Sequence, residues 1–462
     1  MSTAAIVLCA GAGTRMKSEK PKVAHEVLGR PLAQWVVAAA RAAGADPVVS
    51  VVGHGAEQVR PLVADTVVVE QPEQRGTADA VRCAREALAG FDGSVLVLTG
   101  DSPLITGKTL RMLADARVRE GAACAVLTMQ MADPFGYGRI VRGADAGAGA
   151  SGLGEVHRIV EQKDATAEEA AICECNSGFY CFDAAGLFDA LEQVGCENAA
   201  GEYYLTDVLE ILRKAGERVI AVQASDAQEC AGVNSRVQLA EATRVMQQRI
   251  NRAHMEAGVT MMAPEMVWIG PDVIIEPDVE LLPMTFLEGN TRVARNTVIG
   301  PNSRLTDTQV GAGCTVDETV AVEARIDDGA TCGPRAYLRP GAHLMEGAKA
   351  GTHVEIKKST IGPGSKVPHL SYIGDTTMGA GVNIGAGSIT CNYDGVSKHA
   401  TVIGDDVFVG SDTMMVAPVE IGSGAVVGAG SVITKDVPAD SLAVARARER
   451  VIDDWAKKHA KH

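Results

Sequence analysis

Three features are missing from this sequence: a surplus of basic residues, a disulfide framework and a hydrophobic run long enough to span a bilayer. The 462 residues carry a net charge of −15 at pH 7, whereas a general binder of nucleic acids or acidic membranes needs an excess of Lys and Arg. The eleven cysteines are scattered, without the paired CxxC motifs of zinc sites. We therefore expect a cytoplasmic protein with reduced thiols and small-molecule substrates, and neither nucleic acid nor membrane as a partner.

The first apolar run, AAIVLCA at residues 4–10, is too short to cross a bilayer, and no basic segment precedes it. We therefore expect no signal peptide. The chain is long enough for two or more domains with sizeable cores.

Residues 1–230 alternate between apolar runs and helical stretches. The runs predicted to be buried strands are AAIVLCA, PVVSVV, TVVVE, SVLVLT and ACAVLT. Between the first two, PLAQWVVAAARAAG predicts a helix with Pro31 at its start and Gly44 at its end. This alternation predicts βαβ units and a Rossmann-like α/β domain with a mostly parallel sheet, whose ligands bind beyond the carboxyl ends of the strands.

The pattern changes after this domain. Residues 231–258 contain no proline and have helical periodicity, which predicts a linker helix. Over residues 259–440, aliphatic residues recur every six positions, the pattern of a hexapeptide β-helix. The three rows are Ile269, Ile275, Leu281, Leu287, Val293, Ile299, Leu305; Ile326, Cys332, Leu338, Leu344, Ala350, Ile356; and Ile403, Val409, Met415, Ile421, Val427, Ile433. Breaks near residue 357 and between Thr390 and Ile403 predict projecting loops, and residues 441–462 predict a solvated helical tail.

The loop after the first strand, LCAGAGTRM at residues 8–16, is a candidate phosphate-binding loop. It is not a Rossmann fingerprint, because Met16 stands at the third glycine position, and no Gly-Lys-Ser/Thr follows as in a Walker A loop. Backbone N–H groups of such a loop can approach phosphates, which Arg15 and Lys22 can neutralise. The alternative is a tight strand-to-helix turn beside a solvated basic face.

Two further strand ends carry polar groups. In EQPEQRGTADA, Gln71 and the Gly76-Thr77 pair could recognise a base edge. In LTGDSPL, Asp101 follows the central strand, where a carboxylate opposite a phosphate loop suits a Mg²⁺ ion. The alternative for Asp101 is a helix N-cap or a turn.

The hexapeptide region contains a group of residues that a purely structural scaffold does not need. They are Arg339, Glu355, Lys357, His369, Tyr372, Asn383, Ala386, Asn392, Tyr393 and Lys398. Lys357 and His369 are twelve residues apart in coils of about eighteen residues. They therefore fall on different faces of one coil or of neighbouring coils, which is compatible with a groove between subunits.

Taken together, these motifs resemble a known family. LCAGAGTRM…KPK is similar to the signature of sugar-nucleotide pyrophosphorylases, and it is followed in order by GTADA, GDSPL, GYGRIV, IVEQKDA, NSGFY, GEYYLTD and GVNSR. With the hexapeptide solenoid, residues 4 to about 450 resemble the bacterial bifunctional N-acetylglucosamine-1-phosphate uridylyltransferase/glucosamine-1-phosphate N-acetyltransferases. The resemblance implies a nucleotidyltransferase domain, a linker helix and a left-handed parallel β-helix.

The resemblance also implies two reactions. Acetyl transfer from acetyl-CoA to glucosamine 1-phosphate is followed by uridylyl transfer from UTP to N-acetylglucosamine 1-phosphate, with release of pyrophosphate. The implied cofactor is Mg²⁺, the implied assembly is a homotrimer, and the product, UDP-N-acetylglucosamine, feeds peptidoglycan and lipopolysaccharide synthesis.

For the first domain, the resemblance implies catalytic roles for Arg15 and Lys22 at the phosphates, and Mg²⁺ binding by Asp101 and Asn234. The implied UTP and UDP-N-acetylglucosamine site comprises Leu8, Cys9, Ala10, Gly11, Lys22, Gln71, Gly76, Thr77, Thr99, Gly100, Asp101, Gly138, Glu161, Asn176 and Asn234. The family usually has Gly-Thr-Gly-His where this chain has Gly-Thr-Ala-Asp at residues 76–79.

For the second domain, acetyl transfer to an amine needs a base, anion binders and donors for an oxyanion. The resemblance implies that His369 is the base, since the pKa of a histidine lies near neutrality, and that Glu355 orients it. The implied glucosamine 1-phosphate site is Arg339, Lys357, Tyr372 and Asn383. The implied acetyl-CoA site is Ala386, Asn392, Tyr393, Ser411, Ala429 and Arg446. The family commonly has small residues where this chain has Val367-Pro368.

Two other functions remain open. A monofunctional sugar-1-phosphate nucleotidyltransferase would use its β-helix only for trimerisation and regulation, and the residues grouped between 339 and 398 disfavour it. A non-catalytic binding protein is disfavoured by Asp101 and Asn234, which both stand at the implied metal positions.

Overall fold

A computed structural model describes residues 2–142, 153–198 and 201–460. The chain forms two compact units that divide between Met246 and Gln247. The boundaries expected from the sequence, at residues 1–230, 231–258, 259–440 and 441–462, remain a prediction. Among the helices that the structure describes, none has both the length and the apolar character needed to cross a membrane.

The first unit is built on one nine-stranded sheet. In order across the sheet, its strands are Val67–Glu70, Val48–Val52, Thr3–Cys9, Ser94–Thr99, Glu174–Asp183, Cys124–Gln130, Val219–Gln223, Leu153–Val160 and Arg139–Arg142. The first four run parallel, and so do the strands at 124–130 and 219–223. All five predicted strands are observed, but Val67–Glu70 lies at the edge of the sheet and is not buried as expected. The carboxyl ends of the first four strands meet at one edge.

Four strands of this sheet were not predicted from the sequence pattern. Val219–Gln223 runs parallel to Cys124–Gln130, whereas the other three pair antiparallel with their neighbours. Glu174–Asp183 lies between two of the predicted strands, and its register shifts between Asn176 and Tyr180. Arg139–Arg142 pairs with Leu153–Val160 at the edge of the sheet. The strand Leu153–Val160 exposes polar side chains on one face. Its sequence therefore lacks the continuous apolar run of a strand buried on both faces.

Helices cover both faces of this sheet. Successive side chains of each strand point to opposite faces, and the apolar side chains on each face pack against helices. One core contains Ala5 and Val7 of the first strand together with the helices Leu32–Ala42 and Gly107–Arg119. The other contains Ala4 and Ile6. Its helices are Thr77–Arg82, Ala184–Leu191 and Asp207–Lys214. Two single-turn helices, Ala56–Val59 and Ala167–Ala170, complete the α-helices that lie wholly within the unit's described residues.

Two predicted helices are confirmed. The helix at Leu32–Ala42 starts after Pro31, and Gly44 adopts a φ of 92°, which a glycine tolerates without a steric penalty. The predicted linker helix is observed as Arg236–Glu256. Within the second unit, its Gln247 and Asn251 side-chain amides each donate a hydrogen bond of 2.9 Å to the Val267 carbonyl.

The second unit is a left-handed parallel β-helix. Successive short strands join three sheets of eleven, ten and nine strands in turn, and each residue pairs with its equivalent one coil later, as Leu281 does with Ile299. The first sheet contains Thr260–Met261, Glu280–Leu281, Val298–Ile299, Thr315–Val316, Thr331–Cys332, Lys349–Thr352, Lys366–His369, Asn383–Ile384, Phe408–Val409, Val426–Val427 and Leu442–Ala443. The second contains Val267–Ile269, Thr285–Glu288, Arg304–Thr306, Val320–Val322, Tyr337–Leu338, Glu355–Lys357, Tyr372–Gly374, Ile389–Cys391, Met414–Val416 and Val432–Ile433. The third contains Ile274–Ile275, Arg292–Val293, Gln309–Val310, Arg325–Ile326, His343–Leu344, Thr360–Ile361, Thr376–Met378, Thr401–Ile403 and Val419–Ile421.

Every residue of the three predicted rows is buried in the core of the β-helix. The predicted loop near residue 357 is wrong, because Ile356 and Ile361 lie in consecutive strands joined by a shortened turn. The second predicted loop is confirmed: the chain leaves the β-helix after Ile389–Cys391 and returns at Thr401–Ile403. The described part of the tail, residues 441–460, contains the strand Leu442–Ala443 and a short helix, Trp455–His459, rather than the continuous helix expected.

Stacking of the rows leads to a prediction for stability. Leu305 is fully buried between Leu287 and Ala321 of the neighbouring coils, whereas Arg304 beside it is exposed. Leu305→Ala leaves a cavity in the stack and should lower the free energy of unfolding by about 2–5 kcal/mol. Arg304→Ala should change it by less than about 0.5 kcal/mol. Urea unfolding of the two full-length variants tests this, and equal effects would contradict the stacked core.

Candidate active sites

A cavity of about 290 Å³ opens at the carboxyl ends of the first unit's parallel strands. It is lined by Leu8, Ala10, Gly11, Lys22, Val23, Gln71, Gln74, Gly76, Thr77, Ala80, Thr99, Asp101 and Glu202. The three loops predicted to bind a nucleotide therefore meet at one place. The 3₁₀ turn Thr14–Met16 buries Met16 in the core and leaves Arg15 exposed beside the cavity.

Four predicted phosphate- and metal-binding residues converge beside this cavity. The Lys22 ammonium forms a partly buried ion pair with Asp101 and donates a 3.1 Å hydrogen bond to Asn234 Oδ1. Arg15 Nη2 donates to the same Asn234 oxygen at 2.9 Å. Asp101 and Asn234 are far apart in sequence, yet their oxygens face one cationic group. The two oxygens can bind either a metal ion or, as here, the cationic side chains that a phosphate site requires.

The strand-end segment Thr99-Gly100-Asp101 is held against the phosphate loop. Gly100 N donates to Leu8 O at 3.0 Å, and a side chain at Gly100 would approach Cys9 Sγ and Leu8 O within 2.8 Å. Ser102 Oγ contacts Thr99 Oγ1 at 3.0 Å and donates to Asp101 Oδ1 at 3.3 Å. Only a glycine fits here, and the close approach places the Asp101 carboxylate next to the loop.

The predicted base-recognition residues form a second group along the cavity wall. The buried Gln71 side chain donates through Nε2 to Gly76 O at 3.1 Å and to Asp79 Oδ2 at 2.8 Å. Gly76 has a φ of 124°, and a side chain there would collide with the Tyr203 backbone. Thr77 Oγ1 accepts a 3.0 Å hydrogen bond from Leu205 N. The loop is thus fixed on both sides of Gln71.

The predicted sugar-binding residues also lie together. Asn176 N donates to Gly138 O at 2.8 Å, and Asn176 Nδ2 donates to Tyr180 Oη at 2.7 Å. A side chain at Gly138 would come within 3.3 Å of Glu161 Oε1. Burial raises the pKa of Glu161 above its ordinary value, and the nearby Asp164 and Asp207 add to the effect. Glu161 is therefore suited to bind hydroxyl groups in a site of low polarity.

In the second unit, a cluster of charged residues lies on the second sheet. Arg339 Nη1 donates to Glu355 Oε1 at 2.9 Å, and Lys357 Nζ donates to Asp375 Oδ2 at 3.2 Å. Burial acts to raise the pKa of Asp375, but hydrogen bonds from Asn392 and Lys357 outweigh it and lower the pKa below its ordinary value.

Two further groups complete this cluster. Asn392 Nδ2 lies 3.4 Å from Tyr372 Oη. The pKa of Lys398 is lowered, first by its hydrogen-bonding contact with the Lys357 amine. Three cations therefore share one surface with two carboxylates, and an anion that displaces the carboxylates would find Arg339, Lys357 and Lys398 in place.

His369 and Asn383 lie on the first sheet instead. His369 is exposed at the end of Lys366–His369, just before the corner that leads to Tyr372 on the second sheet. Within the described residues, no hydrogen bond joins its imidazole to the charged cluster, and Glu355 is paired with Arg339. The expected orientation of His369 by Glu355 remains a prediction.

The predicted acetyl-CoA residues follow one corner of the β-helix through successive coils. Asp412 N donates to Ala386 O at 2.7 Å, Gly430 N donates to Ser411 O at 2.8 Å, and Arg446 Nη1 donates to Ala429 O at 2.6 Å. Tyr393 lies in the loop between residues 391 and 401, with the Lys398 amine 5.6 Å from its ring centroid.

Sequence reasoning did not assign Asp79, Asp375 or Lys398 to a site. Asp375 follows Gly374, which pairs with Lys357 in the next coil, and the usual coil length of about eighteen residues could have drawn attention to this neighbourhood of Lys357. Lys398 lies in the loop between residues 391 and 401, and the sequence pattern indicates no role for it. Asp79 has no comparable signal, because its contact with Gln71 depends on how the loop at residues 71–79 folds back.

Two family models match the chain. The model of the MobA-like NTP transferase domain matches residues 5–194, and the model of the bacterial transferase hexapeptide (six repeats) matches residues 400–435. The bifunctional protein GlmU of Streptomyces avermitilis is 50% identical over 98% of this chain and 93% of its own length. The chain belongs to the GlmU family. GlmU of Heliobacterium modesticaldum is 48% identical over 98% of each chain, so the similarity spans both units.

Membership of the GlmU family confirms that the chain is a bifunctional transferase with a nucleotidyltransferase unit and a hexapeptide-repeat unit. The sequence-based prediction of an enzyme of UDP-N-acetylglucosamine synthesis is confirmed at the level of the family. The monofunctional alternative is not supported.

The environment of Cys9 leads to a prediction about reactivity. Burial, with a smaller contribution from Asp101, raises the pKa of the Cys9 thiol to about 12. Because the thiolate is the nucleophile that attacks an alkylating reagent, iodoacetamide at about pH 8 should leave Cys9 unmodified in the folded protein. The exposed Cys173 and Cys196 should react under the same conditions. Peptide mass spectrometry tests this, and equal labelling of Cys9 and Cys173 would contradict the prediction.

Proposed function

We propose that the first unit transfers a uridylyl group from UTP to N-acetylglucosamine 1-phosphate, and that the second transfers an acetyl group from acetyl-CoA to glucosamine 1-phosphate. The observation that carries the first assignment is the convergence of Arg15, Lys22, Asp101 and Asn234 at the cavity formed by the strand ends. Four polar residues from distant segments form a site for a charged phosphate chain.

Asp101 and Asn234 would hold a Mg²⁺ ion in this site. Their oxygens already face a single cationic group, the Lys22 ammonium, and a carboxylate with an amide oxygen fits the ligand preference of Mg²⁺. In the described part of the chain, no group of three or more His, Cys, Asp or Glu could hold a metal ion. UTP phosphates and water would therefore supply the remaining ligands. When bound, the ion neutralises charge on the phosphates.

The residues of the first unit position the reactants. Gln71, Gly76 and Thr77 bind the uracil, and Gly138, Glu161 and Asn176 bind the sugar. A phosphate oxygen of N-acetylglucosamine 1-phosphate attacks the α-phosphorus of UTP, and pyrophosphate leaves. Arg15 and Lys22 stabilise the charge that develops on the phosphate oxygens, so no protein nucleophile is required.

Asp101→Asn tests the first assignment. The substitution removes the carboxylate charge, so uridylyl transfer should fall by about 10²–10³-fold, while acetyl transfer should remain near wild type. Chelation of divalent ions with EDTA should likewise abolish uridylyl transfer in the wild type and spare acetylation. Separate assays of the two half-reactions measure both effects. Loss of acetyl transfer in a folded Asp101→Asn variant would contradict the assignment of two independent sites.

In the second unit, Arg339, Lys357, Tyr372 and Asn383 would bind glucosamine 1-phosphate. Ala386, Asn392, Tyr393, Ser411, Ala429 and Arg446 would bind acetyl-CoA or the reacting groups. His369 accepts a proton from the substrate ammonium, and the amine nitrogen then attacks the thioester carbonyl carbon. The carbon–sulfur bond breaks, and coenzyme A leaves as a thiol after a proton returns to its sulfur. Glu355 keeps the Arg339 guanidinium in place for the phosphate.

We propose that the enzyme is a homotrimer in the cytoplasm. The charged cluster around Arg339, Lys357 and Lys398 lies on a different face of the β-helix from the row of predicted acetyl-CoA residues. Neighbouring subunits would enclose both in shared grooves. Large apolar side chains such as Phe408 and Val432 are half-exposed on this surface, and their burial between subunits supports the proposal. All eleven cysteines are free thiols, as a reducing compartment permits.

His369→Ala tests the second assignment. Loss of a general base should lower kcat for acetyl transfer by about 10²–10⁴-fold and leave uridylyl transfer unchanged. His353 is a matched control, because it is exposed on the preceding coil, and His353→Asn respects its φ of 54°. The control should acetylate at the wild-type rate. An unchanged pH profile and rate in His369→Ala would show that another group accepts the proton.

A further inference from the structure

The amide of Gln71 uses both of its N–H groups inside the protein. Nε2 lies 3.1 Å from Gly76 O and 2.8 Å from Asp79 Oδ2. Gln71 is only 3% exposed, and its backbone N–H is bonded to Val52 O. The side chain is therefore held in one position on the wall of the cavity.

The orientation of this amide follows from its two partners. A backbone carbonyl and a carboxylate can only accept hydrogen bonds, so both require the nitrogen of the amide rather than its oxygen. The reversed amide would place three acceptor oxygens next to one another. Gly76 O cannot move away, because Ala78 N and Tyr203 N fix the loop through hydrogen bonds to Tyr203 O and Arg75 O at 2.9 and 2.8 Å.

The remaining polar atom of the amide, Gln71 Oε1, is left to interact with a ligand. Within the described residues, no donor forms a hydrogen bond with it. Gln71 Oε1 is also not one of the fully buried side-chain atoms that lack a hydrogen-bond partner. The wall of the cavity thus presents a hydrogen-bond acceptor at Gln71 and no N–H group from that side chain.

We propose that Asp79 is a specificity-determining positioning residue, which holds the Gln71 amide so that its oxygen accepts a hydrogen bond from a nucleobase N–H. The inference rests on the proposed uridylyl transfer and adds the means by which the site selects its base. Asp79 does not line the cavity and acts through Gln71.

The chemistry of the two pyrimidines explains the selection. Uracil carries a hydrogen on N3 and can donate it to Gln71 Oε1. Cytosine has a lone pair on N3, which would face the lone pairs of the same oxygen. A free Gln71 amide could rotate and donate Nε2 to cytosine, but here rotation would break the hydrogen bonds of Nε2 to Gly76 O and Asp79 Oδ2 and bring the amide oxygen against both acceptors. Asp79 thereby converts an ambiguous side chain into an acceptor that favours uridine.

A purely structural role for Asp79 predicts something different. Asp79 lies in the first turn of the helix Thr77–Arg82, where an acidic side chain stabilises a helix by interaction with its amino-terminal dipole. Loss of that stabilisation would affect the two pyrimidine nucleotides alike. The ratio of kcat/KM for UTP to that for CTP separates the two roles, because it changes only if the orientation of the Gln71 amide changes.

The experiment compares Asp79→Ala with Asp79→Asn in the full-length enzyme, with N-acetylglucosamine 1-phosphate as the acceptor. Asp79→Ala removes the acceptor and should lower the UTP-to-CTP ratio by about 10-fold or more. Asp79→Asn retains an oxygen that can accept from Gln71 Nε2 and should stay within about threefold of wild type. Asp79→Leu keeps most of the side-chain volume and repeats the test in case truncation disturbs folding.

Glu73→Ala is the matched control, since Glu73 is a nearby exposed carboxylate that pairs with Arg75 and does not contact Gln71. It should leave the ratio unchanged. Equal losses with UTP and CTP in both Asp79→Ala and Asp79→Leu would overturn the inference and leave uridylyl transfer standing. Absence of uridylyl transfer by the wild-type enzyme would overturn the proposed function, and this inference with it.

Discussion

Parallel pairing of strands is the constraint on which both candidate sites depend. In the first unit, four neighbouring parallel strands end at the same edge, so the loops that follow them meet although they are distant in sequence. In the second unit, parallel pairing places each residue beside its equivalent one coil later. Lys357 pairs with Gly374 in this way, which brings the adjacent Asp375 within hydrogen-bond distance of the Lys357 amine. Backbone geometry therefore assembles the polar groups, and side-chain packing holds them there.

Both sites contain cations already paired with oxygen acceptors. Lys22 contacts Asp101 and Asn234, while Arg339 and Lys357 contact Glu355 and Asp375. Cations that lie close together disfavour one another's charged form, and the contact with the Lys357 amine accordingly lowers the pKa of Lys398. In the proposed sites, the carboxylates would keep the cations ordered until a phosphate binds. Binding would then exchange one anionic partner for another, which would limit the cost of desolvation.

The sequence predicted those parts of the structure that repeat or that follow a continuous apolar run. The three aliphatic rows and the four buried strands among the five predicted belong to this group, because each inward position requires an apolar side chain. It did not predict the antiparallel strand Glu174–Asp183 or the hairpin beside it, since polar residues interrupt their apolar patterns. The turn after Ile356 was mistaken for a loop because a five-residue step breaks the period without breaking the stack. Contacts such as that of Gln71 with Asp79 depend on loop geometry, which the local pattern does not contain.

Charge alone does not select a base. Arg15, Lys22 and a bound divalent ion would attract the phosphates of any nucleoside triphosphate about equally, because the triphosphate is common to all of them. Discrimination between uracil and cytosine therefore requires uncharged groups with a fixed direction. A glutamine amide has that capacity only when its surroundings decide which end faces the ligand. Gly76 O and Asp79 are both acceptors, so they make this decision before any nucleotide binds, and the energetic cost of ordering the amide is met during folding rather than during recognition.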